Sequence, residues 1–518
     1  MTLPLNKRIN LLSARAELYS VILLAILILC TAFAAFSTKG EPREALVAVE
    51  MLRTGNWILP IDLSGDMAYK PPMFHWLIAL FSLPAGHVTE LTARLPSVVA
   101  LTALFLISIR FFGQRSRNIG VLAAMLALTT FEMFRAGTVC RVDMVLVFFI
   151  TAAIMALYKS LQHSGNSKVW YIMSIAAMSC GTLTKGPVGI ILPLGIYWLF
   201  ALTRGVNFWR TILITIGLAI GSLILPAVWY YAAWEQGGNR FLTLALEENF
   251  GRFMGTMSYE SHVKPFWYNI TSLLLGTMPW GIVFIALLCV GKFWQKLDFS
   301  GIWKRFRGLD PLTQLSLIAA VAIFVFYSIP KSKRSVYLLP MYPFMAYGAA
   351  LYCRRLVAAG KMTVRTVRLS VGIVFCLFVA GFGIAFPIIA SGISDKGKAK
   401  EIEAISPSGP IYSYIPDRFL RYYITDFYLG GRIVSLIPSM QVDTAPGIPI
   451  DSRRLSSPPA DEFMLITPEE SVTLPHSDAR SIYGWLDRHE LKAERVYTSS
   501  EKARDIKSKI VLLRITRQ

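Results

Sequence analysis

Apolar positions in this chain gather into runs. They lie at approximately 18–36, 91–113, 118–134, 142–161, 169–184, 187–203, 209–233, 267–291, 311–329, 335–353 and 368–390. Each is close to the roughly 20 residues that carry a helix across a bilayer core, so about eleven spans are expected, with 13 as an upper bound. A porin-type barrel is excluded, because its strands alternate apolar and polar positions. The pattern changes near residue 394. Short apolar stretches at 410–414, 432–437, 463–467 and 509–515 read as strands, with polar helical segments such as 479–489 between them. The expected architecture is a polytopic α-helical membrane domain over 1–393 and a small α/β domain over 394–518.

Composition agrees with that pattern. Of 518 residues, 54% are hydrophobic and 16% are charged, against about 25% charged in an ordinary soluble domain. Lys and Arg total 52 and Asp and Glu 32, a net charge of +20. In a soluble protein this excess would suggest nucleic acid; in a membrane protein it follows from basic cytoplasmic loops, and no nucleic-acid partner is expected. The loops holding Arg115 and Arg117, Lys159 and Lys168, Arg204 and Arg210, then 292–307 and 354–368, are basic and nearly free of acids. They set the N-terminus inside, with loops 37–90 and 235–264 and the tail on the outer face. The first run, behind Lys7, Arg8 and Arg15, reads as a retained helix. The six cysteines have no spacing suited to zinc or a disulfide framework.

Candidate chemistry lies in the outer loops. Glu41 precedes Pro42 and Arg43, where Ala45, Val49 and Leu52 recur at helical spacing. This predicts a short surface helix with Glu41 just before its start. Glu41 there either favours the helix dipole or acts as a base aimed into a cavity. Lys70, between Tyr69 and two prolines, either snorkels or binds a lipid phosphate. Arg141 and Asp143 open one run, and Lys185 separates two others. Lys331, Lys333 and Arg334 make a basic loop on the face where topology expects few cations. Ionisable groups near membrane depth are functional candidates, and several cations on one face imply an anionic ligand there. The long segment around Glu248 ends at His262, before an interfacial Phe266-Trp267-Tyr268 belt.

Seven motifs in order resemble one family. They are Gly-Glu-Pro-Arg at 40–43, Tyr-Lys-Pro-Pro at 69–72, Ala-Arg-Leu-Pro-Ser at 93–97, Val-Asp-Met at 142–144, Leu-Thr-Lys-Gly-Pro at 183–187, Lys-Pro-Phe-Trp-Tyr at 264–268 and Ser-Lys-Arg-Ser-Val-Tyr-Leu-Leu-Pro at 332–340. They resemble the bacterial polyprenyl-phosphate-sugar glycosyltransferases that include the lipid A aminoarabinose transferases, distant relatives of the protein O-mannosyltransferases. The resemblance implies the GT-C membrane fold and an inner-membrane location with the active face toward the periplasm. It implies transfer, with inversion, from an undecaprenyl-phosphate sugar to lipid A, a surface glycan or protein. Glu41 matches the acidic loop position, with Gly40 where many relatives carry a further acid. Arg43, Lys70 and Tyr337 match positions near the carrier phosphate, and Lys333 and Arg334 lie in the same basic motif. His262 matches a histidine that holds a divalent metal with a glutamate; Tyr69 stands in that glutamate's place. Asp143, Lys185 and Glu248 remain polar site candidates without a fixed role.

Displacement at an anomeric carbon expels an anionic lipid phosphate, which needs cations more than a proton donor. A hydroxyl acceptor also needs a base, which Glu41 supplies, whereas a phosphate acceptor needs only orientation. Two further readings remain open at this point: a lipid-linked-sugar flippase, and a non-catalytic scaffold whose tail binds a partner. Transporters place polar groups near the midplane and carry repeats. Here the charges lie in outer loops.

Overall fold

The structure, a computed structural model, describes residues 5–62, 67–114, 116–162, 167–251, 263–290, 301–416, 421–436 and 457–517. It is mostly helical, and each of the eleven apolar runs contains helix. Among the described residues, five helices are long and apolar enough to cross a membrane, or up to seven if each of two bent pairs is one span. The chain divides into two compact units.

One unit comprises the N-terminal helix, Lys70–Phe74 and Arg94–Ile384. Helices Val142–Gln162, Ser167–Lys185, Val188–Thr203 and Phe208–Leu246 share an apolar core of Ala153, Leu157, Met178, Ile190, Leu194, Tyr197 and Leu218. Gly181 and Gly189 let two of these helices touch: a Cβ on Gly189 would lie 2.4 Å from the Gly181 carbonyl carbon. Small residues at a helix contact give the close approach that packing inside a membrane relies on.

Two runs expected as single spans are broken. Helices Arg117–Leu128 and Phe131–Gly137 meet at 78°, and Tyr268–Gly276 and Trp280–Leu287 at 100°. Pro279 lies in the second break and has no N–H to continue a helix. The breaks satisfy each other's polar groups. Trp280 Nε1 donates to Thr129 Oγ1 at 2.9 Å, and the Phe131 N–H donates to the Met278 carbonyl at 2.9 Å. Irregular backbone at membrane depth survives where protein, rather than lipid, supplies such partners.

The other unit comprises Phe33–Tyr69, His75–Ala93 and Ala385–Gln518. Thus the first outer loop, apart from Lys70–Phe74, lies in one compact body with the tail. Its sheet has β1 (Ile411–Ser413), β2 (Ile433–Ser435), β3 (Glu462–Pro468), β4 (Leu491–Thr498) and β5 (Ile510–Arg517), in the order β2-β1-β3-β5-β4. β1 runs parallel to β2 and β3, and β5 antiparallel to β3 and β4. β5 is buried on both faces. Val511, Leu513 and Ile515 pack with Phe463, Leu465 and Trp485, while Ile510 and Leu512 pack with Ile411, Ile433 and Ile402. Strand β4 was not expected, because it occupies an edge and its sequence is polar.

The outer loop is tied to the tail by specific bonds. Ser394 Oγ donates to the Phe36 carbonyl at 2.6 Å, and the Phe36 N–H donates to the Tyr428 hydroxyl at 2.9 Å. Glu90 accepts from Lys396 at 2.7 Å and from Tyr428 at 3.0 Å. Helix Gly40–Thr54 begins earlier than Pro42 predicts, so Glu41 lies within its first turn.

Asp505 is fully buried and accepts from the Ile424 N–H at 2.5 Å. Burial, reinforced by neighbouring Asp395, pushes its carboxyl from 3.8 up to about 7. Burial likewise pushes Asp426 up to about 7. Between these values the folded chain holds protons that the unfolded chain has released. Stability should therefore fall as pH rises from about 4 to about 7 and level off above, at most about 1.4 kcal/mol per pH unit per site. Asp505→Asn should reduce that slope. Unfolding midpoints of both proteins in detergent at pH 5 and pH 8 test this; an unchanged slope in the variant would rule out the assignment.

Candidate active site

In the membrane-type unit the polar groups converge on Asp143. It opens helix Val142–Gln162 and is 3% exposed. Lys185, ending helix Ser167–Lys185, donates to Asp143 Oδ1 at 2.5 Å. Arg141 Nε lies 3.4 Å from Oδ2, and Arg334 is close enough to act electrostatically on the same carboxylate. An acid in a first turn and a base in a last turn each suit the helix dipole. Three cations against one carboxylate leave this locality net positive. The Lys185 ammonium also lies 4.7 Å from the centre of the Tyr337 ring, which stacks on Tyr327 at 5.2 Å.

The turn after Lys185 requires Gly186. Its φ is +79°, and a Cβ there would meet Asn249 Oδ1 at 2.0 Å. This contact brings the π-helical segment Glu247–Gly251, with half-buried Glu248, to the Lys185 turn. The basic loop is pinned as well. Lys331 accepts through its carbonyl from the Lys264 N–H at 3.1 Å, and Lys333 is buried, its ammonium donating to the Pro330 carbonyl at 2.6 Å. A 3₁₀ turn, Ser335–Met341, follows Arg334. The Tyr337 N–H donates to the Arg334 carbonyl at 3.1 Å, and Arg334 and Tyr337 are half-buried while Val336, Leu338 and Leu339 are buried. Asp143, Lys185, Arg334 and Tyr337 are therefore brought together, and Lys333 is engaged with backbone. Lys70, in the same unit, is half-buried.

Glu41 and Arg43 belong to the other unit. Glu41 is 3% exposed. Arg43 donates to Glu44 Oε1 at 3.0 Å, and Glu44 Oε2 lies 2.9 Å from His75 Nε2. The Glu44 carboxylate holds the Arg43 guanidinium further toward its charged form. Glu44 and His75 are both buried, and the sequence reading passed over both. Glu44 follows Glu41 by three positions, on the same helical face; that was the available signal. His262 lies outside the described residues. Among the described residues, no group of three or more His, Cys, Asp or Glu is placed to hold a metal ion.

Residues 69–231 match the family described as dolichyl-phosphate-mannose-protein mannosyltransferase. The undecaprenyl phosphate-alpha-4-amino-4-deoxy-L-arabinose arabinosyl transferase of Enterobacter sp. (strain 638) is 28% identical over 405 residues, covering 72% of this chain and 67% of its own length. The second such transferase of Proteus mirabilis (strain HI4320) is 27% identical, covering 64% and 58%. The chain thus spans about three fifths of the length of several relatives it matches. The crystal structure of ArnT from Cupriavidus metallidurans bound to undecaprenyl phosphate superposes with a TM-score of 0.69 at 17% identity, covering 97% of this chain and 98% of that one. Its apo form gives 0.70 at 18%. The chain shares its fold with these ArnT structures, and in sequence it is similar to the undecaprenyl-phosphate aminoarabinose transferases, as its motifs led us to expect.

Asp143 carries the cation cluster, so removing it leaves Lys185 and Arg141 without their buried counter-charge. Asp143→Ala should cost about 3–5 kcal/mol. Adding Lys185→Met should recover part of that loss. A double-mutant cycle on unfolding midpoints measures the coupling; strict additivity would mean that the pair is not coupled.

Proposed function

We propose that this chain is a membrane glycosyltransferase that takes a sugar from a polyprenyl (undecaprenyl) phosphate and passes it, with inversion, to lipid A, a surface glycan or a protein. The observation that carries the reading is the net-positive cluster around Asp143, held in a fold shared with an undecaprenyl-phosphate-binding protein along nearly the whole chain. Relatives named as arabinosyl transferases favour a transferase over a lipid-linked-sugar flippase.

The reaction forms a bond from the acceptor oxygen to the anomeric carbon and breaks the bond from that carbon to the phosphate oxygen. The leaving phosphate carries the negative charge. Lys70, Arg334 and Tyr337 are the groups we assign to hold it, the motif resemblance alone adds Arg43, and Lys333 shapes the loop that carries Arg334. Cations fixed in advance stabilise developing charge without reorganising. By the motif resemblance, Glu41 is assigned the proton of a hydroxyl acceptor, or the orientation of a phosphate acceptor. Asp143 and Lys185 keep the basic set in place, and Glu248 borders the Lys185 turn. Tyr69 occupies the partner glutamate's position, so the residues do not fit a divalent metal shared with His262. We place the protein in a bacterial inner membrane, with the N-terminus cytoplasmic and the small α/β tail in the periplasm.

Purified protein given undecaprenyl-phosphate aminoarabinose and lipid A in detergent should yield a glycosylated product, read by mass. Glu41→Gln should lower the rate with a hydroxyl acceptor by about a hundredfold or more, and less with a phosphate acceptor. Lys70→Met should weaken donor use with both. Movement of the lipid without transfer would return the flippase reading, and unchanged rates in Glu41→Gln with both acceptors would remove Glu41 from the chemistry.

A further inference from the structure

Glu132 lies just past the break between helices Arg117–Leu128 and Phe131–Gly137, in an otherwise apolar stretch, and is 4% exposed. Arg135 grips it with two bonds, Nε to Oε2 at 3.1 Å and an Nη to Oε1 at 2.6 Å. This bidentate pair would suffice to neutralise a buried acid. The carboxylate nevertheless makes a third bond: Ser335, distant in sequence, donates its hydroxyl to Oε1 at 2.9 Å.

Ser335 is the first residue of the 3₁₀ turn Ser335–Met341. Its neighbours Arg334 and Tyr337 face Asp143 and Lys185. At the other end of the turn, the Tyr342 hydroxyl lies within electrostatic reach of Glu132. Gly276 closes over both, since a Cβ there would lie 2.2 Å from that hydroxyl and 3.2 Å from Glu132 Cβ. The basic turn is thus held between two buried carboxylates, Asp143 on one side and Glu132 on the other. Because the Tyr337 N–H donates to the Arg334 carbonyl at 3.1 Å, a shift of the turn would move Arg334 and Tyr337 together.

We propose that Glu132 is a positioning residue: by accepting the Ser335 hydroxyl while paired with Arg135, it fixes the turn that presents Arg334 and Tyr337 to a prenyl phosphate. The inference rests on the transferase reading above and extends it to a residue outside the seven motifs.

The test uses the full-length protein in detergent, with undecaprenyl phosphate as the binding probe and the transfer assay for kinetics. Ser335→Ala and Glu132→Met should each weaken binding by roughly tenfold, the factor produced by losing a hydrogen bond to a charged group. The donor KM should rise correspondingly, with kcat within about twofold. Ser335→Thr, which keeps the hydroxyl, should bind as wild type. The double variant should bind no worse than Glu132→Met alone, since the Ser335 effect runs through Glu132. Wild-type affinity in Ser335→Ala, or a kcat loss without a KM change, overturns the inference even if Glu132→Met fails to fold. If the wild-type protein does not bind undecaprenyl phosphate at all, the transferase reading falls, and this inference with it.

Discussion

A carboxylate shut away from water must be compensated, and in this protein that requirement organises the membrane-type unit. Asp143 sits at a helix start with almost no exposure. Burying it alone would cost several kcal/mol. The chain answers with Lys185 from a helix end, Arg141 from the preceding turn and Arg334 from the 331–337 segment. Compensation exceeds neutrality. The surplus is a fixed positive locality, with Tyr337 against Lys185 as a further wall. Such a locality favours an anion over a cation.

Broken helices serve the same end. The breaks at 129–130 and 277–279 satisfy one another through Trp280, Thr129 and the Phe131–Met278 backbone bond. Local irregularity at membrane depth is tolerated only with such partners. The break before Phe131 carries Glu132 to Ser335, which a straight helix through 118–134 would not predict. The second unit uses ordinary soluble packing, a sheet with apolar residues on both faces of β5, and its outer loop is fastened by Glu90, Lys396 and Tyr428.

Much of this was legible in the sequence. The runs gave the helices, since an apolar stretch of bilayer length leaves few alternatives. Asp143 with Arg141, and Lys185, were visible as charges at run ends; their meeting was not, because it depends on how separate helices pack. Glu132 was legible in principle, being an acid within an apolar run, but the run was read whole and the charge overlooked. His75 was hidden by the apolar residues around it, and its partner Glu44 by the more conspicuous Glu41. Strand β4 was missed because a polar edge strand lacks the alternation that marks a half-buried one. Placement of the outer loop with the tail follows from bonds between residues more than three hundred positions apart, which no local pattern reports.

The most direct measurement is an experimental structure of the protein in lipid nanodiscs with undecaprenyl phosphate bound. The account predicts phosphate density beside Arg334 and Tyr337, with Lys185 still paired to Asp143. Phosphate seated instead among the basic residues at the opposite loop ends, near Arg204 and Arg210, would contradict it.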